Sequence, residues 1–478
     1  MPILFTKVIL SHTIIVEVIA MLIRFSVGNF LSFKEVQEFS MIKGKTKSKS
    51  DRIFDADKLK LLKFAAIFGA NASGKSNLVS SFKYAQTAII RGIPKKGKIS
   101  PFKLDAGYAD KPSYFEFEIL INNDSYAYGF EILLKKNQIV SEWLIQLSPT
   151  GNDKTIFSRD IANGKFQSDL KITSTTLKNK FNVYSDDSKN NTEILFLNEM
   201  NRAKNELYKE KNDLTIFKDI FEWFEDRLDV NYPNRPISDY SYFRDTANKD
   251  EVCRVISSLG TGITNYEEKK SSLEQLQQQL PKVVYEQLEE DINEWKIAKK
   301  NEIKASSISI RINDMYYVIS MDKDDTLEVA TIVFNHGNDA IFDFSEESDG
   351  TRRILDLIEI LFSGESKVYI IDEIDRSLHP QLTYKFIQEF LTAAKKRNIQ
   401  LVITTHESRL LDFGLLRQDE IWIANKTLTG ATELYSLDEY NVRFDKKVDK
   451  AYLEGRYGGV PIFSTIFPVK EDDSHENS

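Results

Sequence analysis

Gly69-Ala70-Asn71-Ala72-Ser73-Gly74-Lys75-Ser76 is the stretch whose residue types and spacing most directly specify chemistry. A G-x-x-x-x-G-K-S pattern supplies glycines that let the backbone close around phosphate oxygens. It also supplies a lysine that reaches the outer phosphates and a hydroxyl that ligates Mg²⁺. Amide groups at a helix N-terminus favour negative charge there. The apolar run Phe64 to Phe68 precedes the loop and reads as a buried strand. Leu78, Phe82, Ala85 and Ile89 fall on one face of the helix that follows. The expectation is a nucleoside triphosphate with Mg²⁺, bound by Asn71, Ala72, Ser73, Gly74, Lys75, Ser76 and Asn77.

A phosphate loop needs an acidic residue delivered by a neighbouring strand. Lys367 to Ile371 is a continuous β-branched run, as a central parallel strand should be, and it ends in Asp372-Glu373. Asp372 is expected to hold the metal through water, together with Ser76, and Glu373 to polarise the attacking water of an in-line displacement. Ser348-Asp349-Gly350-Thr351 opens a helix over Arg352 to Leu361, a second helix N-terminus with a hydroxyl and a glycine facing phosphate. Ile399 to Thr404 reads as another buried strand. His406, just beyond it, would project into the crevice at the carboxyl ends of the sheet strands.

The elements that must position these residues occupy 478 residues, enough for two or three domains and a large core. Residues 1–20 are apolar but carry Lys7, His12 and Glu17, which argues against a signal peptide or a membrane span. The strand-like LIRFSVGNF follows Met21, so the working protein is expected to begin there, with 1–20 an N-terminal extension. Residues 21–164 read as strand-rich around the phosphate-loop helix. Tyr114 to Leu147 forms a β-meander turning at Asn122-Asn123-Asp124 and Lys135-Lys136-Asn137. Residues 165–304 read as a helical insertion ending in two short helices, one on Leu273, Leu276 and Leu280 and, past Pro281, one on Val284, Leu288, Ile292 and Trp295. Residues 305–463 carry the acidic pair and His406, and 464–478 form a polar tail.

A net charge of −8 and a pI near 5.5 argue against a protein that coats nucleic acid over its whole surface. Lys43, Lys45, Lys47 and Lys49, and Lys95, Lys96 and Lys98, are local basic patches that read first as solvated loop charge. A single cysteine, Cys253, excludes intrachain disulfides and cysteine-cluster metal sites, and fits a reducing cytoplasm.

Taken in order, the phosphate loop, the serine-glycine segment, the strand ending in Asp-Glu and the strand-end histidine resemble the ABC-type ATPases. The SMC/RecF-like branch fits best, through the long interval between Lys75 and Asp372, the IDRSLHP loop (Ile374 to Pro380) and the lead-in FSVGNFLSF (Phe25 to Phe33). The chain is similar in particular to the RloA-like bacterial AAA ATPases of restriction and anti-phage loci, through Pro101-Phe102-Lys103-Leu104, ESDGTRR (Glu347 to Arg353) and YLEGRYGGVP (Tyr452 to Pro461). The likeness spans about residues 21 to 463.

That resemblance implies an α/β P-loop NTPase fold of ABC-ATPase type, with a mixed central sheet, an antiparallel β-meander and a helical insertion. It implies that Asp372 and Glu373 are the Walker B pair and His406 the switch histidine on the γ-phosphate. Ser348, Gly350 and Thr351 would complete the site of a second subunit, so two ATP molecules would lie between two heads of a homodimer. The implied role is the ATP-gated regulatory subunit of a cytoplasmic anti-phage system that controls a separate, nuclease-like effector. Nucleic acid is a further candidate partner, and no membrane is. A DNA-repair or chromosome-maintenance ATPase, and a scaffold that binds ATP without hydrolysing it, stay open at this point.

Three positions depart from the pattern. Asp349 stands at a usual glycine, Leu31 at the usual basic residue of the lead-in motif, and His379 where transporters carry an aspartate. Gln138 and Gln146 are candidates for the Q-loop glutamine. Tyr452 to Pro461 reads equally as a partner-docking turn or a packed segment.

Overall fold

Phe64–Phe68 sends Phe64, Ala66 and Phe68 into one hydrophobic cluster and Ala65 and Ile67 into another. A strand apolar on both faces must be covered on both, which is the environment of a central parallel strand. In the computed structural model it is central. The model describes residues 4–9, 19–56, 59–94, 99–233, 241–244, 248–279, 305–312, 315–321, 326–337, 340–362, 366–440 and 448–460, with isolated positions between 282 and 292. The core sheet runs Leu228–Asn231, Val368–Ile371, Gln400–Thr404, Phe64–Phe68, Ile421–Lys426, Thr432–Ser436. The first five strands pair in parallel and the last is antiparallel. Helix Lys75–Arg91 packs Phe82 and Ile89 on one face of the sheet, and helix Pro380–Ala393 packs Phe386 and Phe390 on the other.

A seven-stranded antiparallel sheet lies over the phosphate-loop helix, with Phe25 of the sheet stacked on Phe82 and Phe117 edge-on to it. It contains Ala20–Gly28 and the meander Ser113–Ile121, Asp124–Leu133 and Gln138–Leu147. Asn122 and Asn123 both take left-handed backbone, at φ 50° and 72°. A two-residue hairpin of matching twist requires that, and asparagine tolerates it. Gln400 joins this sheet to the core. Its amide oxygen accepts from the Leu22 N–H (2.7 Å), and its nitrogen donates to the carbonyls of Leu22 (2.9 Å) and Leu62 (3.0 Å). Leu22 lies at a register shift, so a side-chain amide supplies the pairing that the bulged strand cannot.

The third sheet orders Leu4–Ile9, Ala305–Ile312, Met315–Met321, Leu327–Asn335 and Asn265–Ser271, with Ile341–Asp343 beside Leu327–Asn335. Helix Asp349–Phe362 connects it to the core: Ile354, Leu355 and Ile358 pack on this sheet, and Leu357 and Ile360 on the core cluster.

Several boundaries differ from the sequence expectation. Met21 is internal to Ala20–Gly28, and Leu4–Ile9 pairs with Ala305–Ile312, so 1–20 is not wholly outside the fold. Residues 165–304 are not one helical insertion. Phe181, Phe196 and Phe217 belong to the same core as the phosphate-loop helix, and Leu228–Asn231 is an edge strand of the core sheet itself. Asn265–Ser271 is a strand, although its charged residues resemble a helix face. Leu273–Gln279 is the first of the two expected helices, with Leu276 buried. Leu280, Pro281, Val284, Trp295, Lys95, Lys96, Lys98 and the tail 464–478 lie outside the described residues. Of the first basic patch, Lys45 and Lys47 are exposed, whereas the Lys49 ammonium donates to the carbonyls of Phe413 and Leu416.

One fully buried ion pair ties the meander to the helices that follow. Glu142 accepts from Tyr128 Oη (2.9 Å), Arg159 Nε (2.8 Å) and the amides of Phe196 and Leu197, the start of helix Phe196–Asn201. Arg159 also donates to the carbonyls of Ser188, Asn191 and Ile194. Removing one partner strands the other charge away from water. Arg159→Met is therefore expected to lower unfolding stability by about 3–5 kcal/mol, measured by urea denaturation.

Candidate functional site

Gly74 precedes helix Lys75–Arg91 in a left-handed conformation, φ 109°, and the helix has no side-chain cap and no acid in its first turn. Its leading amides are thus free of protein acceptors from a cap, which suits an anion. A Cβ on Gly74 would lie 2.0 Å from Thr432 Oγ1, so glycine is the residue that fits. Asn71 and Ala72 are exposed at the loop crest, Ser73 and Lys75 are buried, Ser76 is exposed and Asn77 half-buried. Ser73 Oγ is buried without a hydrogen-bond partner. The Lys75 ammonium, 5% exposed, donates to the carbonyls of Gly69 (2.6 Å) and Ala70 (3.1 Å). Burial pulls its pKa down to about 8, against the opposing pull of Asp372, Asp375 and Glu373.

The acidic pair sits one strand away, and the intervening strand positions it. Thr404, last residue of Gln400–Thr404, donates from Oγ1 to Asp372 Oδ1 (2.6 Å), while the same oxygen accepts from the Glu373 N–H (2.8 Å). Asp372 is buried and its N–H donates to Asn231 O (3.0 Å). Glu373 takes φ 45°, a conformation costing about 1–2 kcal/mol in a non-glycine residue. It turns the chain sharply at the strand end. His406 follows Thr404 by two residues. Its N–H donates to Asp375 Oδ2 (3.4 Å), and burial beside the Lys75 charge lowers its pKa. Asp375, not singled out in the sequence, thus joins the cluster, with its Oδ1 buried and unpartnered.

These residues fit a triphosphate and its metal. A buried cation bonded to carbonyls, an uncapped helix N-terminus and an unpartnered serine hydroxyl are groups that an anion satisfies. With Thr404 on Asp372 Oδ1, Oδ2 is the carboxylate oxygen that would be left for a metal.

Ser348, Gly350 and Thr351 are placed differently. Ser348 is exposed and caps its own helix, accepting from the Thr351 N–H (3.1 Å). Gly350 packs on the Ser377 carbonyl, and Arg353 Nη2 reaches Glu373 O (3.5 Å), so the segment abuts the loop after the acidic pair. Asp349 bonds Arg352 Nη2 (2.5 Å), which offsets the acid at this helix start. His379 caps helix Pro380–Ala393 through Nδ1, which accepts from the Gln381 N–H (3.3 Å). Gln138 and Gln146 lie on the third meander strand, separated from Ala20–Gly28 by two strands, and are not brought to the phosphate loop.

Two residues that the sequence did not flag hold the loop. Thr432 Oγ1 donates to Ser73 O (2.8 Å) and pairs with the Ser32 hydroxyl (2.7 Å), and Asn77 Nδ2 donates to Ser32 Oγ (2.7 Å). Ser32 belongs to the lead-in motif, whose Asn29 bonds the Phe102 N–H and the carbonyls of Tyr108 and Lys111. One asparagine thus fastens the lead-in loop to the Pro101 to Leu104 loop.

A family model described as "AAA domain, putative AbiEii toxin, Type IV TA system" matches residues 64–412, from the phosphate-loop strand past His406. The chain belongs to this AAA family. The fold is that of a P-loop NTPase, and this AAA domain is a nucleotide-binding one. Among solved structures, the SMC head domain from Thermotoga maritima is 12% identical, covering 87% of this chain and 98% of that one at a TM-score of 0.36. The Smc head domain with an extended coiled coil from Pyrococcus furiosus, bound to the C-terminal domain of ScpA, is 12% identical, covering 92% and 100% at 0.38. No curated protein matches the chain by sequence. Among the described residues, no helix is long and apolar enough to cross a membrane.

Thr404→Val keeps the shape and deletes the hydroxyl, leaving Asp372 Oδ1 and the Glu373 N–H without it. A supporting group of this kind is worth about 10–100-fold in activity. That loss in ATP turnover is expected for Thr404→Val, with Thr404→Ser close to wild type, in a steady-state phosphate-release assay.

Proposed function

We propose that this chain hydrolyses ATP as a dimeric, ATP-gated switch, and is the regulatory subunit of an anti-phage system that acts on a separate nuclease-like effector. The observation that carries the reading is the convergence of Lys75, Asp372, Glu373 and His406 at one end of one parallel sheet, held by Thr404.

In this reading the loop amides and Lys75 hold the phosphates, and Ser76 and Asp372 would hold Mg²⁺, which would supply charge neutralisation. Glu373 accepts a proton from a water aligned with the γ-phosphate. His406, fixed through its backbone by Asp375, donates to a γ-phosphate oxygen. The exposed Ser348, with half-buried Gly350 and Thr351 beside it, supports completion of the site by a second copy, in an isologous pair where each head closes the other's nucleotide. Loss of the γ-phosphate removes contacts from both sides of that interface and lets the heads part. The family's description, which names a toxin of a type IV toxin–antitoxin system, supports a place in defence.

Glu373→Gln should keep ATP binding and lose about 10²–10⁴-fold in turnover, with the variant held as a dimer by ATP in light scattering. Unchanged turnover would remove Glu373 from the base role, and a wild type that never turns over would favour the scaffold. For the effector, tagged protein purified from its native operon is expected to co-elute a nuclease-like protein encoded beside it. Co-elution of DNA alone would turn the reading toward repair.

A further inference from the structure

The segment Tyr452 to Val460 has no part in the chemistry above, yet it packs on the first glycine of the phosphate loop. Tyr452 closes edge-on to Phe68, the residue before Gly69, with ring centroids 6.2 Å apart. Its hydroxyl donates to Gly459 O (2.8 Å), and the Gly459 N–H donates to Asn425 Oδ1 (3.0 Å). Tyr435 Oη donates to Tyr457 O (2.6 Å). Gly459 is left-handed, φ 67°. A Cβ there would lie 2.8 Å from Ile423 Cγ2 and 3.4 Å from both Ala424 O and Gly69 Cα. Gly69 is crowded by the same strand, since its own Cβ would lie 2.5 Å from Ala424 O. Two glycines nearly four hundred residues apart in sequence therefore lie against one stretch, Ile423 to Asn425, where a side chain on either would collide.

Gly69 is also the residue whose carbonyl takes the Lys75 ammonium at 2.6 Å. A shift of the Tyr457–Val460 turn is thus transmitted, through the Ile423 to Asn425 stretch that both glycines lie against, to the residue whose carbonyl holds the phosphate-binding lysine. We infer that this turn is a positioning element of the nucleotide site, so that nucleotide occupancy and docking of the turn are energetically coupled. The inference rests on nucleotide binding at Gly69 to Ser76. It makes the Tyr452 to Val460 stretch a packed part of the site instead of a free docking turn. Coupling of this kind is reciprocal: whatever the turn does to nucleotide affinity, nucleotide must do to the turn.

The experiment is amide hydrogen exchange on the full chain with and without the non-hydrolysable analogue AMP-PNP and Mg²⁺, alongside AMP-PNP affinity and nucleotide-free melting temperature. Residues 69–76 and 457–460 are expected to gain protection together in the wild type. Tyr452→Phe, which keeps the ring and deletes one hydrogen bond, is expected to weaken AMP-PNP binding by about 3–10-fold and to reduce protection at 457–460. Gly459→Ala should act in the same direction and more strongly. Protection at 69–76 with none at 457–460 overturns the inference and leaves nucleotide binding standing. So does a Tyr452→Phe variant that melts lower but binds AMP-PNP as tightly as wild type. Absence of protection at 69–76 removes the nucleotide reading and the inference with it.

Discussion

A lysine ammonium withdrawn from water with two backbone carbonyls as its hydrogen-bond acceptors is the constraint around which this head is organised. Burying such a charge is costly, and burial lowers the pKa of Lys75 accordingly. The carboxylates of Asp372, Asp375 and Glu373 offset part of it through space. The loop must therefore stay in one shape that keeps the Gly69 and Ala70 carbonyls within reach. A flexible glycine-rich loop does not hold such a shape unaided, so it has to be fixed from outside.

The fixing comes from every part of the chain. Ser32 and Thr432, four hundred positions apart, meet over Ser73 and Asn77. Gln400 pins one end of the strand whose other end carries Thr404, so the lock between two sheets and the lock on Asp372 share one rigid element. Strand alternation makes this workable. Phe64–Phe68 belongs to two cores at once, and a displacement of either core reaches the loop through it.

The parts of this arrangement legible in the sequence were those written locally. The phosphate loop, the buried strand before Asp372, the meander and its asparagine turn each carry their own signal within a dozen residues, and each is where the pattern put it. The positions of Ser32, Thr432, Asp375 and Gly459 were not legible, because a lone serine, threonine or glycine has no periodicity and its partner lies far along the chain. The middle of the chain misled for two physical reasons. Leu228–Asn231 is four residues long, too short to establish a period beside the helical turns before it. Asn265–Ser271 pairs on one side with Leu327–Asn335, and an edge strand facing water can be as charged as a helix.

Leu228–Asn231 bears on how this protein can be dissected. Heads of this kind invite excision of everything between the phosphate loop and the acidic strand, with a short linker closing the gap. Here that cut would take the edge of the core sheet with it. The acceptor for the Asp372 amide is the carbonyl of Asn231, and the walls of the aromatic core around Phe117 include Trp223 and Phe224. A minimal domain made by joining the two flanking pieces would inherit an unpaired aspartate backbone and an open core. The intervening stretch is scaffold as much as ornament, and a viable truncation would have to retain at least the run from the helices before Leu228 through Asn231.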